Sequence, residues 1–109
     1  MIHEPMDLPL FEARAGEVAG VLKALANQRR LMLLCKLVEL GQASVGQLAE
    51  AVGLSQSALS QHLAKMRDEG LVGFERSGQS LFYRIADPRV EALLGQLYQL
   101  YCAPKETRS

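Results

Sequence analysis

The sequence predicts one mainly α-helical domain that carries a small β-hairpin. Three observations support this fold class: apolar residues recur at helical spacing along much of the chain, a glycine separates two short helical stretches near its middle, and two β-rich runs flank a polar turn after them. The 109 residues, 49% of them hydrophobic, suffice for one core. We expect an N-terminal arm over residues 1–9, one domain over residues 10–102 and a C-terminal tail over residues 103–109.

Two helices are expected before the central glycine. In residues 11–25 the apolar side chains at helical spacing include Val18, Leu22 and Leu25. A second helix follows and carries a Leu-rich stretch around Cys35.

The next two helices are predicted to form a helix-turn-helix. Ser44 and Gln47 have the spacing of a capping box, in which each side chain satisfies a backbone N–H at the start of a helix. Gly53 permits the positive φ that a tight turn between helices often needs. The inner face of the first of these two helices consists of Val45, Leu48, Ala49 and Val52.

The second helix of this pair has a polar outer face suited to reading DNA. Ser55 is placed to cap it, Gly70 to end it, and its buried stripe consists of Leu59, Leu63 and Met66. Short donors and acceptors approach base edges in a major groove about 12 Å wide without burying an unpaired charge. The alternative is an ordinary amphipathic helix with a solvated face, and the upstream capped helix favours DNA reading. The outward side chains are Gln56, Ser57, Ser60, Gln61 and Lys65.

A β-hairpin is predicted directly after this helix. Residues 71–76 and 81–86 are β-rich, and the four residues between them form a polar turn. A hairpin in this position is typical of the wing of a winged helix-turn-helix, with Arg76, Gln79 and Arg84 near backbone phosphates. The alternative is a surface hairpin that only covers the core.

The last helix is predicted to begin at Pro88 and to take part in a homodimer. It is apolar on too many sides for a helix that packs only within its own chain. We therefore expect a homodimer through the first and last helices, with packing within one chain as the alternative. Two recognition helices about 34 Å apart would then read the two half-sites of a palindromic operator in double-stranded DNA.

The order of these elements resembles that of the bacterial ArsR/SmtB-type repressors over roughly residues 18–102. The stretches that carry the resemblance are 24–31, 44–49, 54–63 and 67–72, together with the hairpin and last helix. The resemblance implies a homodimeric winged-helix repressor that releases DNA when an inducer binds. It assigns base reading to Gln56, Ser57, Ser60 and Gln61, and it places His62 beside them, near a phosphate or a base.

The charges are segregated along the chain although the formal net charge is zero. The first 22 residues carry four acidic side chains and one basic one, whereas residues 23–90 carry nine basic and six acidic side chains. Contacts with phosphate need only local positive potential. Arg67 has the alternative of an intramolecular pair with Asp68 or Glu69. The cations expected to face DNA are Arg29, Arg30, Lys65, Arg67, Arg76 and Arg84.

Two cysteines are the candidates for sensing. Metal sensing is poorly supported, because the first helix of the helix-turn-helix has no thiol or imidazole and the last helix has no histidine. Cys35 lies in the second helix, where a small buried hydrophobe is the alternative reading, and Cys102 ends the last helix near Lys105 and Arg108. In a reducing compartment a transient bridge between them is more plausible than a permanent disulfide.

This pair of cysteines is similar to that of the dithiol branch of the family, to which BigR, SqrR and HlyU belong. The likeness implies that Cys35 and Cys102 of one protomer are free thiols in the DNA-binding state. They would be joined by a disulfide or polysulfide after exposure to a persulfide, a sulfide-derived species or an oxidant. The alternatives are a metal-responsive or non-inducible regulator with structural cysteines, and a winged helix used only for protein interaction.

Several other classes of protein are not expected. The sequence has no paired His, Ser and Asp, no glycine-rich phosphate loop and no metal cluster, so neither an enzyme nor a cofactor is predicted. It has no secretory apolar region and no apolar run of about 18 residues, so we expect a cytoplasmic protein that does not bind membranes.

Overall fold

Five helices and a small antiparallel sheet make up the computed structural model, which describes residues 5–102. The predicted mainly helical class is confirmed. The last two residues of the predicted arm are helical, and both its first four residues and the predicted tail lie outside the described residues. The elements in chain order are α1 Leu8–Leu25, α2 Gln28–Leu40, β1 Ala43–Ser44, α3 Val45–Val52, α4 Gln56–Asp68, β2 Val72–Ser77, β3 Ser80–Ile85 and α5 Pro88–Cys102.

The helix starts are fixed by polar caps, as the sequence predicts for α3 and α4. The Ser44 hydroxyl accepts a hydrogen bond from the Gln47 backbone N–H at 3.2 Å, and the Gln47 side chain accepts one from the Ser44 N–H at 2.9 Å. The Ser55 hydroxyl accepts from the Ala58 N–H at 3.1 Å. These bonds satisfy N–H groups that have no partner within their own helix.

Two glycines end these helices in the left-handed backbone region. Gly53 closes α3 with φ of 71° and begins the tight turn into α4. Gly70 follows α4 with φ of 80°, and the next N–H, that of Leu71, returns to the Met66 carbonyl at 2.9 Å. Both predicted helix ends are confirmed, and a residue with a Cβ would be strained at either position.

The wing is the outer part of a three-stranded sheet ordered β1-β3-β2. Strands β2 and β3 pair from Val72 opposite Ile85 to Ser77 opposite Ser80, around a two-residue turn that begins with Gly78. Strand β1 was not predicted; it pairs with the other side of β3, with Ala43 opposite Tyr83. The wing is therefore tied to the residues that immediately precede α3.

The core lies between the inner faces of α2, α3, α4 and the sheet. The buried stripe predicted for the recognition helix is confirmed, because its three apolar residues have no solvent exposure. They belong to one buried cluster with three leucines of α2, and the backbone of α4 lies against α3 and β2. The completely buried side chains of this cluster are Leu33, Leu34, Leu37, Ala43, Leu48, Leu59, Leu63 and Met66.

Removing the cap of the recognition helix should lower stability measurably. We expect Ser55→Ala to reduce the free energy of unfolding by about 1 kcal/mol, because the Ala58 N–H loses its acceptor. Urea denaturation followed by circular dichroism measures the change. Ser57→Ala, which removes an exposed hydroxyl from the same turn, is the matched control. Equal stability of the two variants would contradict the capping role.

Candidate nucleic-acid interface

One side of α4 is exposed and polar, and it adjoins the start of α3. The predicted reading residues Gln56, Ser57, Ser60 and Gln61 are all exposed, and so is Lys65. The buried stripe occupies the opposite side of the same helix. The polar side of α4 is thus accessible and could enter the major groove of DNA, while the apolar side holds the helix to the domain.

Gln56 lies where the two helices of the helix-turn-helix meet. Its side-chain nitrogen would be 3.8 Å from a Cβ built on Gly46, in the first turn of α3. The Gln56 amide therefore borders the N-terminus of α3.

His62 differs from its neighbours on α4. It is half-buried, whereas Gln61 beside it is exposed. This places the imidazole at the margin of the polar surface, and its contact with DNA stays a prediction.

The wing presents its predicted polar residues to solvent. Arg76, Gln79 and Arg84 are all exposed. The Arg84 guanidinium lies 3.9 Å from the Glu75 carboxylate, across the two strands. An exposed pair at this distance contributes little to stability, so Arg84 stays free to exchange its partner for a phosphate.

Arg67, expected to face DNA or else to pair with Asp68 or Glu69, is exposed and lies against the wing. Its guanidinium carbon lies 4.9 Å from the centroid of the Phe74 ring, a cation–π geometry. The Phe74 ring is in turn tilted against Tyr83, with centroids 5.4 Å apart. The carboxylate of Glu69, one predicted partner of Arg67, is bound by a different arginine.

Arg30 is that arginine, and its predicted role as a DNA-facing cation is wrong. The residue is only 8% exposed. Its guanidinium donates to both carboxylate oxygens of Glu69, at 2.9 and 3.5 Å, and to the Ala24 carbonyl at 3.4 Å. Arg29, next to it, is exposed and remains available.

The sequence did contain a signal for the burial of Arg30. Arg30 precedes the three buried leucines of α2 by three, four and seven residues, which is the spacing of one helix face. A charge on the apolar stripe of a helix is normally paired, so this position predicts an acidic partner elsewhere in the chain. The buried face of α2 consists of Arg30, Leu33, Leu34 and Leu37.

Helices α1 and α5 expose many large apolar side chains in the single chain. Leu100 is 74% exposed and Tyr101 is 83% exposed. The Arg89 guanidinium at the start of α5 lies 2.9 Å from the Glu17 carboxylate on α1, which ties the two helices together. The pKa of Glu17 is lowered chiefly by this bond. The exposed apolar side chains on or beside these helices are Met6, Leu8, Leu10, Phe11, Leu22, Tyr98, Leu100 and Tyr101.

The two cysteines are free thiols in different surroundings. Cys35 is half-buried and packs against the core, whereas Cys102 is exposed at the last residue of α5. Burial raises the pKa of the Cys35 thiol, and the charge of a Cys102 thiolate raises it further.

Within residues 5–102, no three His, Cys, Asp or Glu side chains are grouped so that they could hold a metal ion. None of the helices in this range has both the length and the apolar character needed to cross a membrane.

Comparison with known proteins gives consistent matches. Residues 27–73 match the family described as "Bacterial regulatory protein, arsR family". The chain is 44% identical to the transcriptional activator HlyU of Vibrio cholerae, over 90% of this chain and 90% of that protein.

Solved structures agree with these matches in fold as well as in sequence. The transcriptional repressor BigR from Xylella fastidiosa superposes with a TM-score of 0.83 at 41% identity, covering 91% of this chain and all of that one. Reduced HlyU from Vibrio cholerae gives a TM-score of 0.78 at 43% identity, covering 85% of this chain and 97% of that one. Identity at this level over most of both chains, together with the exposed recognition helix and wing, establishes that the chain belongs to the ArsR/SmtB-type family of winged-helix, DNA-binding transcription regulators, which are not enzymes.

Proposed function

We propose that this regulator is a homodimeric repressor that releases its operator when sulfur chemistry joins Cys35 to Cys102. The observation that carries the proposal is the placement of the two thiols. One cysteine is half-buried on α2, and the other is exposed at the end of α5. A bond between them would link α2, whose leucines share the buried core with α4, to a helix whose apolar surface is suited to a partner chain.

The repressor assignment rests on DNA reading by two copies of the chain. The exposed side of α4 would enter the major groove through Gln56, Ser57, Ser60 and Gln61, with His62 and Lys65 at its margin. Arg76, Gln79 and Arg84 of the wing would contact the backbone. A relative is named as a repressor and another as an activator, so DNA binding is common to both outcomes. Occupation of a palindromic promoter site by a dimer blocks transcription without further machinery.

The surroundings of the two thiols set an order of reaction. Cys102 is exposed and meets the inducer first, whereas Cys35 is half-buried and its raised pKa lowers the fraction present as the reactive thiolate. The Cys102 thiolate attacks the outer sulfur of an organic persulfide, takes that sulfur and releases the organic thiol. Cys35 then attacks the inner sulfur of the Cys102 persulfide and expels hydrogen sulfide, which leaves a disulfide.

A second persulfide or a peroxide would also join the two cysteines, with different products. A second persulfide would extend the sulfur chain on Cys102 before closure and leave a trisulfide. Hydrogen peroxide would convert Cys102 to a sulfenic acid, and attack by Cys35 would release water. A trisulfide would identify a persulfide as the inducer, whereas a disulfide arises from either reagent. A disulfide requires Cα atoms within about 7 Å and each added sulfur extends the reach, so a longer gap between the two cysteines would favour a persulfide over peroxide.

The bridge would act on DNA binding through the relative positions of the recognition helices. A crosslinked dimer whose two α4 helices no longer match successive major grooves loses affinity for the operator. A loss of ten- to a hundredfold needs only about 1.4 to 2.8 kcal/mol of coupling, which is ordinary for allostery.

Intact mass and gel shift measured on the same sample test the proposal. The probe is a palindromic duplex selected with the reduced protein from a random-sequence library. We expect glutathione persulfide to produce a bridged protein that no longer shifts the duplex, and dithiothreitol to restore both the free thiols and the shift. Protein that is fully bridged but still binds the duplex would contradict release, and thiols that stay unreacted would contradict sensing.

A further inference from the structure

The Arg30 guanidinium lies where three helices meet. It stands in the first turns of α2, donates to the carbonyl of Ala24 near the end of α1, and binds Glu69, the residue that caps the C-terminal end of α4. Arg30 is the buried charged residue among those that the structure describes. The far end of the recognition helix is therefore attached to α1 and α2 by one side chain.

The Arg30–Glu69 contact has a preferred direction, whereas the packing of the apolar core does not. The side chains Leu59, Leu63 and Met66 set how deep α4 lies, but apolar burial depends on area and tolerates small rotations of the helix. Two parallel N–H···O bonds between a planar guanidinium and a carboxylate fix an orientation as well as a distance. The pair lies beyond the last of these buried side chains, at the C-terminal end of α4, and adds a constraint on the tilt of the helix axis.

We infer that Arg30 and Glu69 are positioning residues for operator reading. Their ion pair sets the angle at which the polar side of α4 meets the bases, and neither side chain touches DNA. The inference rests on the proposed reading face of α4 and is independent of the cysteines. Breaking the pair should therefore lower the affinity for the operator and leave the affinity for unrelated DNA unchanged.

Glu69→Gln tests the inference with little change in shape. The variant keeps one acceptor oxygen but replaces the other with an NH₂ group that faces the guanidinium, so the parallel pair is lost. The measurement is fluorescence anisotropy with dithiothreitol-reduced protein on two duplexes, one selected by the wild-type protein from a random library and one scrambled. We expect the ratio of the two affinities to fall about tenfold, with affinity for the scrambled duplex unchanged, because one charge-assisted contact that orients the helix is removed.

Two further variants separate positioning from a general loss of structure. Glu39→Gln breaks an exposed ion pair with Lys36 on the same helix α2, and it should leave the ratio unchanged. Glu69→Asp retains the charge, so it should lower the ratio of the two affinities less than Glu69→Gln does. Thermal denaturation of each variant confirms that the protein is folded at the assay temperature.

Different results would contradict the positioning role of Arg30 and Glu69 and the reading face of α4. In the same assay, Gln56→Ala with Ser60→Ala removes two reading side chains and should abolish the preference. Loss of preference there, but not in Glu69→Gln, would overturn the positioning role alone. Preference retained in both would overturn the reading face and the inference with it. A fall in melting temperature without a change in the ratio would make the pair purely structural and also overturn the inference.

Discussion

Cys102→Ser is expected to bind the selected operator duplex as tightly as the wild-type protein and to ignore glutathione persulfide. Persulfide treatment should lower the affinity of the wild type by ten- to a hundredfold, which corresponds to the usual range of allosteric coupling. The variant lacks the exposed thiol that accepts the sulfur, and the half-buried Cys35, whose pKa is raised, reacts slowly by itself. Gel shift before and after treatment measures the response, and intact mass measures the sulfur added.

Cys35→Ser is the matched variant, and it should fail at a later step. Its Cys102 should still collect sulfur atoms, but no bridge can close, so the operator should stay bound. The two variants thus differ in mass and agree in DNA binding. A normal response in both would exclude the dithiol, and a bridged product in either would mean that partner thiols of two protomers react.

Leu100→Glu is expected to separate the dimer and to lower operator affinity by about a hundredfold or more. Leu100 is 74% exposed in the single chain, and it lies on the helix with the large apolar surface. A carboxylate buried between two copies lacks a partner and carries a heavy desolvation cost. Once the subunits separate, the second half-site is no longer bound at the high effective concentration that a linked subunit provides.

Light scattering after size exclusion and anisotropy on the selected duplex measure the two effects. Gln99→Glu introduces the same charge at the neighbouring exposed polar position and is the control. We expect the control to remain dimeric. A Leu100→Glu protein that is still a dimer would locate the interface elsewhere, and a monomer with full affinity would contradict the two-site reading of the operator.

The elements nearest the DNA could be predicted because their determinants are local. Capping by Ser44 and Ser55, the turn at Gly53 and the stripe of α4 all depend on residues within about two helical turns of each other. The hairpin was predictable for the same reason, from two β-rich runs and a short polar turn. These signals do not require knowledge of any distant residue.

The features that were missed depend on contacts between distant parts of the chain. Strand β1 has only two residues and owes its structure to pairing with β3. The charge pattern predicts Arg30 as a surface cation, because a count of charges does not tell which of them faces a carboxylate 39 positions away. The roles of individual residues in DNA contact and in sensing stay predictions, since local pattern places a side chain on a face but does not supply its ligand.

Strand β1 constrains how this protein could be recombined with its relatives. Ala43 is completely buried opposite Tyr83, while Ser44 pairs with Phe82 and also caps α3. In a chimera that takes the hairpin over residues 72–85 from another regulator, the imported β3 must therefore pair with the native β1. Transferring residues 43 and 44 together with the hairpin keeps the native pairing of β1 with β3. Grafts that omit these two residues should fold less cooperatively when the residue that replaces Tyr83 does not pack against Ala43.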